Sequence, residues 1–244
     1  MTELEAYRNY LARTGNAPAP IAAALIDMDG VLYDSMTNHS KAWKRLSDEE
    51  GWTYDENEFF LYEGMTGAAI IRLIAKRNGK GDVSDEEAKR LYAKKAQYFV
   101  DLGTVRQIDG TADMLRILRD AGIKRVLVTG SGQDSLLRRL NDDYPMTFAD
   151  DMRVTARDVS HGKPSPEPYL KGLEKAGEPA GSTIVVENAP LGVQAGHASG
   201  CFTVGITTGP IPADELYSHG ADIVYPDMKH FAAALPEIIA LRKH

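Results

Sequence analysis

Short apolar runs alternate with amphipathic helical segments across most of the chain. Five runs are rich in β-branched and aliphatic residues, and most end in a polar or glycine-containing turn: 21–27, 125–129, 183–187, 201–206 and 222–225. Helical patterns such as 111–121 and 166–176 lie between them. Strands that alternate with helices in this way predict an α/β fold, in which a parallel sheet carries helices on both faces.

The segment 33–102 has a different pattern. Helical periodicity extends over 39–50, 67–77 and 85–99, interrupted by glycine-containing loops, and no strand pattern stands out. An all-helical insert after the first strand predicts a second, smaller domain at 33–102, joined by two short crossings to a core domain of 21–32 and 103–244. Two crossings make a hinge, so we expect the insert to open and close as a lid. Residues 1–20 are an N-terminal extension, a helix followed by a proline-containing linker, with no assigned function.

Composition and charge narrow the classes of function. The chain has 244 residues, a net charge of -7 and one cysteine. An acidic chain gains nothing from phosphate attraction, so we expect no nucleic-acid partner. A single cysteine, Cys201, excludes an internal disulfide, and its apolar neighbours predict a buried thiol. With no membrane-length apolar stretch and no signal-like start, the sequence indicates a soluble, cytoplasmic protein without a membrane partner, a monomer or weak dimer.

Candidate chemistry begins where the first strand ends. Asp27 and Asp29 follow the apolar run, and Gly30 and Val31 come next. An isolated Asp-x-Asp often only caps a turn, but the strand before it and the glycine after it favour a functional pair. One carboxylate can attack phosphorus while the other passes protons to the leaving group, because their environments can hold them in different ionisation states. A metal beside Asp27 would keep it ionised, and Asp29 is expected to be held as an acid.

Three further motifs follow predicted strand ends or precede the next strand. Thr129, Gly130 and Ser131 offer a hydroxyl and bare backbone N–H groups to a phosphoryl oxygen, although Gly-Ser-Gly is also an ordinary turn. Lys163, between glycine and proline, would supply the cation that an acidic protein needs near a transferring phosphoryl group; a surface lysine is the plainer alternative.

An acid and an amide, Glu187 and Asn188, stand at the end of the third run. They provide oxygen ligands for a hard cation such as Mg²⁺. The small residues that follow, Gly192 and Gly196 among them, indicate a helix packed closely on the sheet. In parallel sheets ligands bind beyond the carboxyl ends of the strands, so these motifs are expected to meet at one site.

This constellation resembles the haloacid dehalogenase superfamily. Asp27-x-Asp29, Thr129, Lys163 and Glu187-Asn188 match its four signature positions in order, and the resemblance implies a Rossmann-like core with a helical cap domain. The opening from Asp27 to Ser35, followed by His39, is similar to the β-phosphoglucomutase-like branch. The likeness extends over nearly everything after about residue 20.

The resemblance implies the following roles. Asp27 forms an aspartyl-phosphate, and Asp29 acts as general acid and then as general base. Thr129 and Lys163 hold the phosphoryl oxygens. Mg²⁺ is held by Asp27, the backbone carbonyl of Asp29, Glu187 and Asn188, and the final ligand departs from the usual Asp. The neutral amide removes one negative charge from the metal site.

The cap loop bears on which reaction occurs. A mutase of hexose phosphates needs positively charged side chains in this loop to bind the distal phosphate of its substrate. Here Glu63 stands where a basic residue is expected, and Gly67 stands where an arginine is expected. A carboxylate repels a phosphate unless a cation lies between them. Glu63 could instead reach the metal on closure, and Tyr92 could narrow the space, although a solvated loop acid and a packed core tyrosine are the plainer interpretations.

Together with His39, which either orients Asp29 or lies on a helix surface, Glu63 and Tyr92 resemble an inorganic pyrophosphatase branch of the superfamily. We expect a phosphohydrolase that cleaves pyrophosphate or a small phosphate ester. A β-phosphoglucomutase is the alternative, and a non-catalytic binding protein is disfavoured because the constellation is complete. A dehalogenase has no use for the metal or for an acid at Asp29.

Overall fold

The computed structural model describes residues 1–132 and 134–241. Its strands are β1 Ala23–Ile26, β2 Tyr33–Asp34, β3 Arg106–Gln107, β4 Lys124–Val128, β5 Arg153–Val154, β6 Thr183–Glu187, β7 Phe202–Ile206 and β8 Ile223–Tyr225. Its α-helices are α1 Glu3–Thr14, α2 Met36–Glu49, α3 Phe59–Tyr62, α4 Gly67–Arg77, α5 Asp85–Asp101, α6 Thr111–Asp120, α7 Asp134–Asp143, α8 Glu167–Ala176, α9 Pro190–Ala198, α10 Ala213–Ser218 and α11 Met228–Leu241. Short 3₁₀ turns occupy Glu56–Glu58, Asp150–Met152 and Ala180–Ser182.

Six strands form one parallel sheet in the order β5-β4-β1-β6-β7-β8. β1 lies inside the sheet, with Leu25 opposite Val126 on β4 and Val185 on β6. The carboxyl ends of these three strands therefore meet at one edge, which is where ligands bind in sheets of this kind. This arrangement brings together motifs that lie more than a hundred residues apart in the chain.

Both faces of the sheet are buried. Along β1, Ala24 and Ile26 join a core cluster with residues of α6 and α11, while Ala23 and Leu25 join a second cluster with Tyr169 of α8. Successive side chains of a strand point to opposite faces, so a strand covered on both sides reads as a continuous apolar run rather than an alternating one. The α/β fold with helices on both faces is thus confirmed.

Helices α2 to α5 lie between β1 and the rest of the sheet in sequence, with α5 packed against both α2 and α4. The two crossings into and out of this helical unit pair with each other as the antiparallel strands β2 and β3. The sequence pattern showed no strand here, because two residues are too few to carry a periodic signal. The same reason explains why the edge strand β5 was missed.

The N-terminal helix α1 packs on the sheet domain rather than standing apart. Tyr10 is buried, and its hydroxyl donates to the carbonyl oxygen of Gly200 at 3.1 Å. Arg13 forms an ion pair with Asp222 at 3.0 Å. The helix is therefore an integral part of the packing around β7.

Cys201 is fully buried as a thiol, as its apolar setting predicted. Within residues 1–132 and 134–241, no helix has the length and apolar character needed to cross a bilayer.

Candidate active site

A chamber of about 40 Å³ lies where the helical unit meets the carboxyl ends of β1 and β4. The sheet side contributes Asp27, Asp29, Thr129, Gly130 and Ser131. From the helical unit, the lining includes His39, Glu63 and Tyr92. Eight of the eleven site residues predicted from the sequence thus face one space, and of the other three, Lys163 contacts Asp27 and Glu187 contacts Lys163. Asn188 joins them through Glu63, as described below.

Lys163 connects the two acidic motifs. Its Nζ lies 2.5 Å from Asp27 Oδ1 and 2.5 Å from Glu187 Oε1, and it also donates to the carbonyl of Val128 at 3.3 Å. Burial works against a charged lysine, but Asp27 and Glu187 outweigh it and raise the pKa of Lys163. Lys163 therefore stays positively charged between two carboxylates, where it can also meet a phosphoryl oxygen.

Glu187 has both carboxylate oxygens occupied. Oε1 accepts from Lys163 and from the Tyr169 hydroxyl at 2.7 Å, and Oε2 accepts the backbone N–H groups of Asn188 at 2.9 Å and Ala189 at 3.2 Å. A Cβ on Gly192 would fall 1.9 Å from Oε1. The glycine at 192 therefore makes room for this carboxylate, a more specific purpose than the helix–sheet packing predicted from sequence.

Glu63 reaches the site from the loop after α3. It is buried, and its Oε1 accepts from Asn188 Nδ2 at 2.8 Å. Burial, with Asp27, Glu187 and Asp29 nearby, raises the pKa of Glu63 well above its ordinary value. Burial likewise raises the pKa of Asp27 to about 8, against the pull of Lys163. The positive charges of the site are thus too few to keep all of its carboxylates ionised.

Asp29 has a network of its own. Its Oδ1 accepts from Ser35 Oγ at 2.5 Å and from His39 Nε2 at 2.9 Å. Burial opposes a charge on Asp29, but His39, Ser35 and Lys95 together lower its pKa. The donors around Asp29 thus stabilise its carboxylate in this arrangement, and its role as an acid stays a prediction.

Lys95 completes this network and was missed from the sequence. It is buried on α5 among the rings of Trp43, Tyr92 and Phe99, and its Nζ lies 2.5 Å from His39 Nδ1. Burial lowers the pKa of Lys95 to about 7. Its position on the apolar face of α5, four residues after the buried Leu91, is the sequence signal that would have identified it.

Burial and the nearby Lys95 lower the pKa of His39. A neutral imidazole that donates from Nε2 to Asp29 and accepts at Nδ1 from Lys95 satisfies both contacts. Of the two interpretations that the sequence left open, the geometry favours the one in which His39 orients Asp29, since the ring is buried beside it and not on a helix surface.

The loop after β4 faces the helical unit closely. Thr129 Oγ1 accepts the backbone N–H of Ser131 at 3.0 Å, and the Gly132 N–H donates to the Tyr92 hydroxyl at 3.0 Å. A Cβ on Gly130 would lie 2.4 Å from the carbonyl oxygen of Gly64. Gly130 therefore permits the cap loop to close against the sheet, and Tyr92 both borders the chamber and packs against the core.

Comparison with known proteins agrees with this architecture. The sequence model of the haloacid dehalogenase-like hydrolase family matches residues 21–200. The chain belongs to that family. A solved structure named "Putative beta-phosphoglucomutase", from Bacteroides vulgatus, is 38% identical, covers 99% of this chain and 98% of its own, and superposes with a TM-score of 0.94.

Curated relatives in the family act on phosphorylated compounds, by their names. Hexitol phosphatase A of Escherichia coli is 28% identical over 82% of this chain and 88% of its own. 2-deoxyglucose-6-phosphate phosphatase 2 of Saccharomyces cerevisiae is 30% identical over 84% of this chain and 87% of its own. The chain is thus a member of a hydrolase family that includes phosphatases, with β-phosphoglucomutase-like structural neighbours.

The oxygen atoms at the edge of the chamber are suitable ligands for a divalent cation. Asn188 Oδ1 is buried without a hydrogen-bond partner, and the carboxylates of Asp27 and Glu63 lie close by with raised pKa values. Across the described ranges, no three His, Cys, Asp or Glu side chains already form a cage. Hard oxygen donors with few protein ligands suit Mg²⁺, so the residues present fit such an ion.

Proposed function

We propose that this chain is a Mg²⁺-dependent phosphohydrolase that forms an aspartyl-phosphate on Asp27, and that inorganic pyrophosphate is its substrate. One observation carries the proposal. The Glu63 carboxylate enters from the cap, 2.8 Å from Asn188, in a chamber of about 40 Å³. A cap that brings an acid this deep into the site leaves room only for a small leaving group.

The proposed steps use this chain's own residues. Asp27 attacks phosphorus and the bond from phosphorus to the oxygen of the leaving phosphate breaks, while Lys163 and the Thr129 hydroxyl hold the phosphoryl oxygens as charge develops on them. Water then cleaves the aspartyl-phosphate, which releases the second phosphate and restores the Asp27 carboxylate. Mg²⁺ would neutralise the oxygens and keep Asp27 ionised, bound by Asp27, the Asp29 carbonyl and Asn188.

In this proposal Glu63 would help to hold the ion and would supply the negative charge that the amide of Asn188 lacks. Glu187, predicted from the sequence as a direct ligand, instead holds Lys163 and the loop after β6, because both its oxygens already accept hydrogen bonds from protein donors.

The leaving group provides a supporting argument. The carboxylate of Asp29 accepts two hydrogen bonds at one oxygen, which favours its ionised form. An ionised Asp29 is a poor proton donor to an alcohol that leaves as an alkoxide. Phosphate leaves as a stable anion and has less need of a proton, so this arrangement favours pyrophosphate over sugar phosphates.

The cap offers little to a bisphosphorylated sugar. Among the described residues that line the chamber, the basic side chains from the cap are His39 and Lys95, and both belong to the Asp29 network. Glu63 lies where a distal phosphate would need a cation, and it would repel that phosphate. These features weigh against a β-phosphoglucomutase.

A phosphatase of phosphorylated carbohydrates is the second candidate, because the names of several curated relatives favour it. A sugar phosphate is larger than pyrophosphate and would need the space that Glu63 occupies on the cap side of the chamber. This candidate therefore requires the cap, which we place at residues 33–102, to remain displaced during the chemical step. Pyrophosphate permits the closed arrangement described above.

The test is phosphate release with Mg²⁺ from pyrophosphate, acetyl phosphate, glycerol phosphate and hexose phosphates. We expect the highest kcat/KM for pyrophosphate, and acetyl phosphate to exceed glycerol phosphate because its leaving group needs no proton. A preference for hexose phosphates, or formation of glucose 6-phosphate from β-glucose 1-phosphate, would overturn the assignment.

The Mg²⁺ requirement tests the part given to Glu63. Glu63→Gln keeps the shape of the side chain and removes the charge, so the Mg²⁺ concentration for half-maximal rate should rise by about tenfold or more. Glu58→Gln, a change on the same cap segment at an ion pair with Arg77, is the matched control and should leave it unchanged. An unchanged requirement in Glu63→Gln would remove Glu63 from the metal site.

A further inference from the structure

Helix α8 begins shortly after Lys163 and holds the loop that carries it. Glu167, the first residue of this helix, accepts the backbone N–H groups of Ser160 and His161, each at 2.8 Å and each on its own carboxylate oxygen. His161 Nδ1 also lies 3.2 Å from Glu167 Oε2. The backbone before Lys163 is therefore fixed from α8. The course of the lysine side chain remains to be set, because its flexible stem can carry the ammonium group to several places.

Tyr169 lies two residues further along α8, and its side chain reaches the surroundings of the Lys163 ammonium group. Tyr169 is fully buried, and its hydroxyl donates to Glu187 Oε1 at 2.7 Å. The centre of its ring lies 5.1 Å from Lys163 Nζ. Burial, with Glu187 and Asp27 nearby, raises the pKa of Tyr169 well above its ordinary value, so the hydroxyl keeps its proton. Tyr169 is thus a constant hydrogen-bond donor to the carboxylate that contacts Lys163.

Glu187 Oε1 is the atom that Tyr169 and Lys163 share. It accepts from the Tyr169 hydroxyl and from Lys163 Nζ, which lies 2.5 Å away. The other oxygen, Oε2, accepts the backbone N–H groups that follow Glu187, so the plane of the carboxylate is held without Tyr169. A carboxylate oxygen has about two acceptor sites, and these two donors fill them. The negative charge that Oε1 offers to Lys163 is therefore shared with the Tyr169 hydroxyl.

The Lys163 ammonium group has no donor to spare. It contacts Asp27 Oδ1, Glu187 Oε1 and the carbonyl oxygen of Val128. In the reaction proposed above, one of these donors has to pass to a phosphoryl oxygen as negative charge develops on it. A lysine offers three donors and no more, so too strong a contact with Glu187 would hold the ammonium group back.

We infer that Tyr169 is a positioning residue for the reaction: its hydroxyl occupies part of Glu187 Oε1 and thereby keeps the Lys163 ammonium group available to the phosphoryl oxygen. The inference rests on the proposed function, in which Lys163 meets that oxygen. Tyr169 does not line the chamber, so it acts through Glu187 and Lys163. Without the hydroxyl, Lys163 would be the one remaining donor at Glu187 Oε1 and would be attracted to it more strongly.

Tyr169→Phe tests this inference, because it removes the hydroxyl and keeps the ring beside Lys163. With Mg²⁺ and the substrate that is cleaved fastest, we expect kcat to fall by about tenfold, as for the loss of one hydrogen bond to a charged group, and KM to stay within about twofold of wild type. Inorganic vanadate, which adopts the geometry of a transferring phosphoryl group, should inhibit Tyr169→Phe about tenfold more weakly, while inhibition by inorganic phosphate stays unchanged.

Tyr225→Phe is the matched control. The Tyr225 hydroxyl donates to the carboxylate of Glu3 at 3.0 Å, in a contact between β8 and α1 that lies outside the site. Both variants lose a buried hydroxyl that donates to a carboxylate, so both should lose a similar amount of thermal stability. Only Tyr169→Phe should lose kcat. An equal kcat in the two variants, or a loss in Tyr169→Phe that appears in KM alone, would overturn the inference.

A measurement without metal or substrate separates this inference from the proposed function. Nuclear magnetic resonance of protein made with isotope-labelled lysine detects the Lys163 ammonium group, which is assigned by its absence from Lys163→Arg. Its protons should exchange with water more slowly in Tyr169→Phe than in wild type or Tyr225→Phe, because Glu187 holds them more tightly. Unchanged or faster exchange would refute the inference. Slower exchange in a protein that releases no phosphate from any substrate would instead refute the proposed function and retain the coupling of Tyr169 to Lys163.

Discussion

Changing Lys95 to methionine tests the buried network beside Asp29. Methionine has a similar length and is apolar, so Lys95→Met keeps the packing among Trp43, Tyr92 and Phe99 and removes the amine. In the wild-type protein, burial lowers the pKa of Lys95 to about 7 from an ordinary value of 10.5. Folding must therefore either bury a charged amine or release its proton.

The sign and the size follow from this difference in pKa. Below pH 7 Lys95 is charged in the folded and unfolded states, so folding bears the whole cost of burying the charge. Between pH 7 and 10.5 the unfolded chain binds more protons than the folded one, so stability rises with pH. At 1.36 kcal/mol per pH unit, the full difference is roughly 4–5 kcal/mol, of which about 2–3 kcal/mol appears between pH 7 and 9.

The assay is urea unfolding of both proteins at several pH values from 6 to 9, in buffer without divalent cations. Titrating groups outside the network of Lys95, His39 and Asp29 cancel in the difference between the two free energies of unfolding. This difference should shift in favour of the wild-type protein as the pH rises. Lys94→Met is the matched control: its amine lies in contact with Glu49 and Glu50, which raise its pKa, so the difference from wild type should stay flat. A difference for Lys95→Met that is equally flat would refute the reasoning.

Three further changes test other parts of the structure. Asp27→Asn should lower phosphate release by at least about a thousandfold with an unchanged circular dichroism spectrum, and turnover near wild type would contradict its role as nucleophile. Gly30→Ala places a Cβ 2.0 Å from Asn188 Nδ2 at a φ of 79°, so this variant should lose both activity and thermal stability. Gly122→Ala is the control: its φ is 71° and the space around it is open, so this variant should lose stability alone. Tyr10→Phe removes a hydrogen-bonding hydroxyl in α1 and should lower the free energy of unfolding by about 1 kcal/mol in urea with turnover intact; equal loss of turnover would tie α1 to catalysis.

The sequence by itself determined the fold class and the strand-end motifs. Five of the six strands of the main sheet were evident from continuous apolar runs, since a strand buried on both faces needs apolar side chains at every position. Asp27, Asp29 and Thr129 could be placed near each other because consecutive parallel strands end at the same edge. The helical unit after β1 was evident from its different period.

Only the tertiary structure decided which side chains contact each other in the site and which of them are ionised. That Lys163 contacts both Asp27 and Glu187, and that Lys95 is buried against His39, depends on the orientation and burial of side chains across elements far apart in the chain. The ionisation of Asp29 likewise follows from donors on two elements, which local patterns do not record. Sequence periodicity reports which face of an element is buried, while charge and proton location depend on what packs against that face.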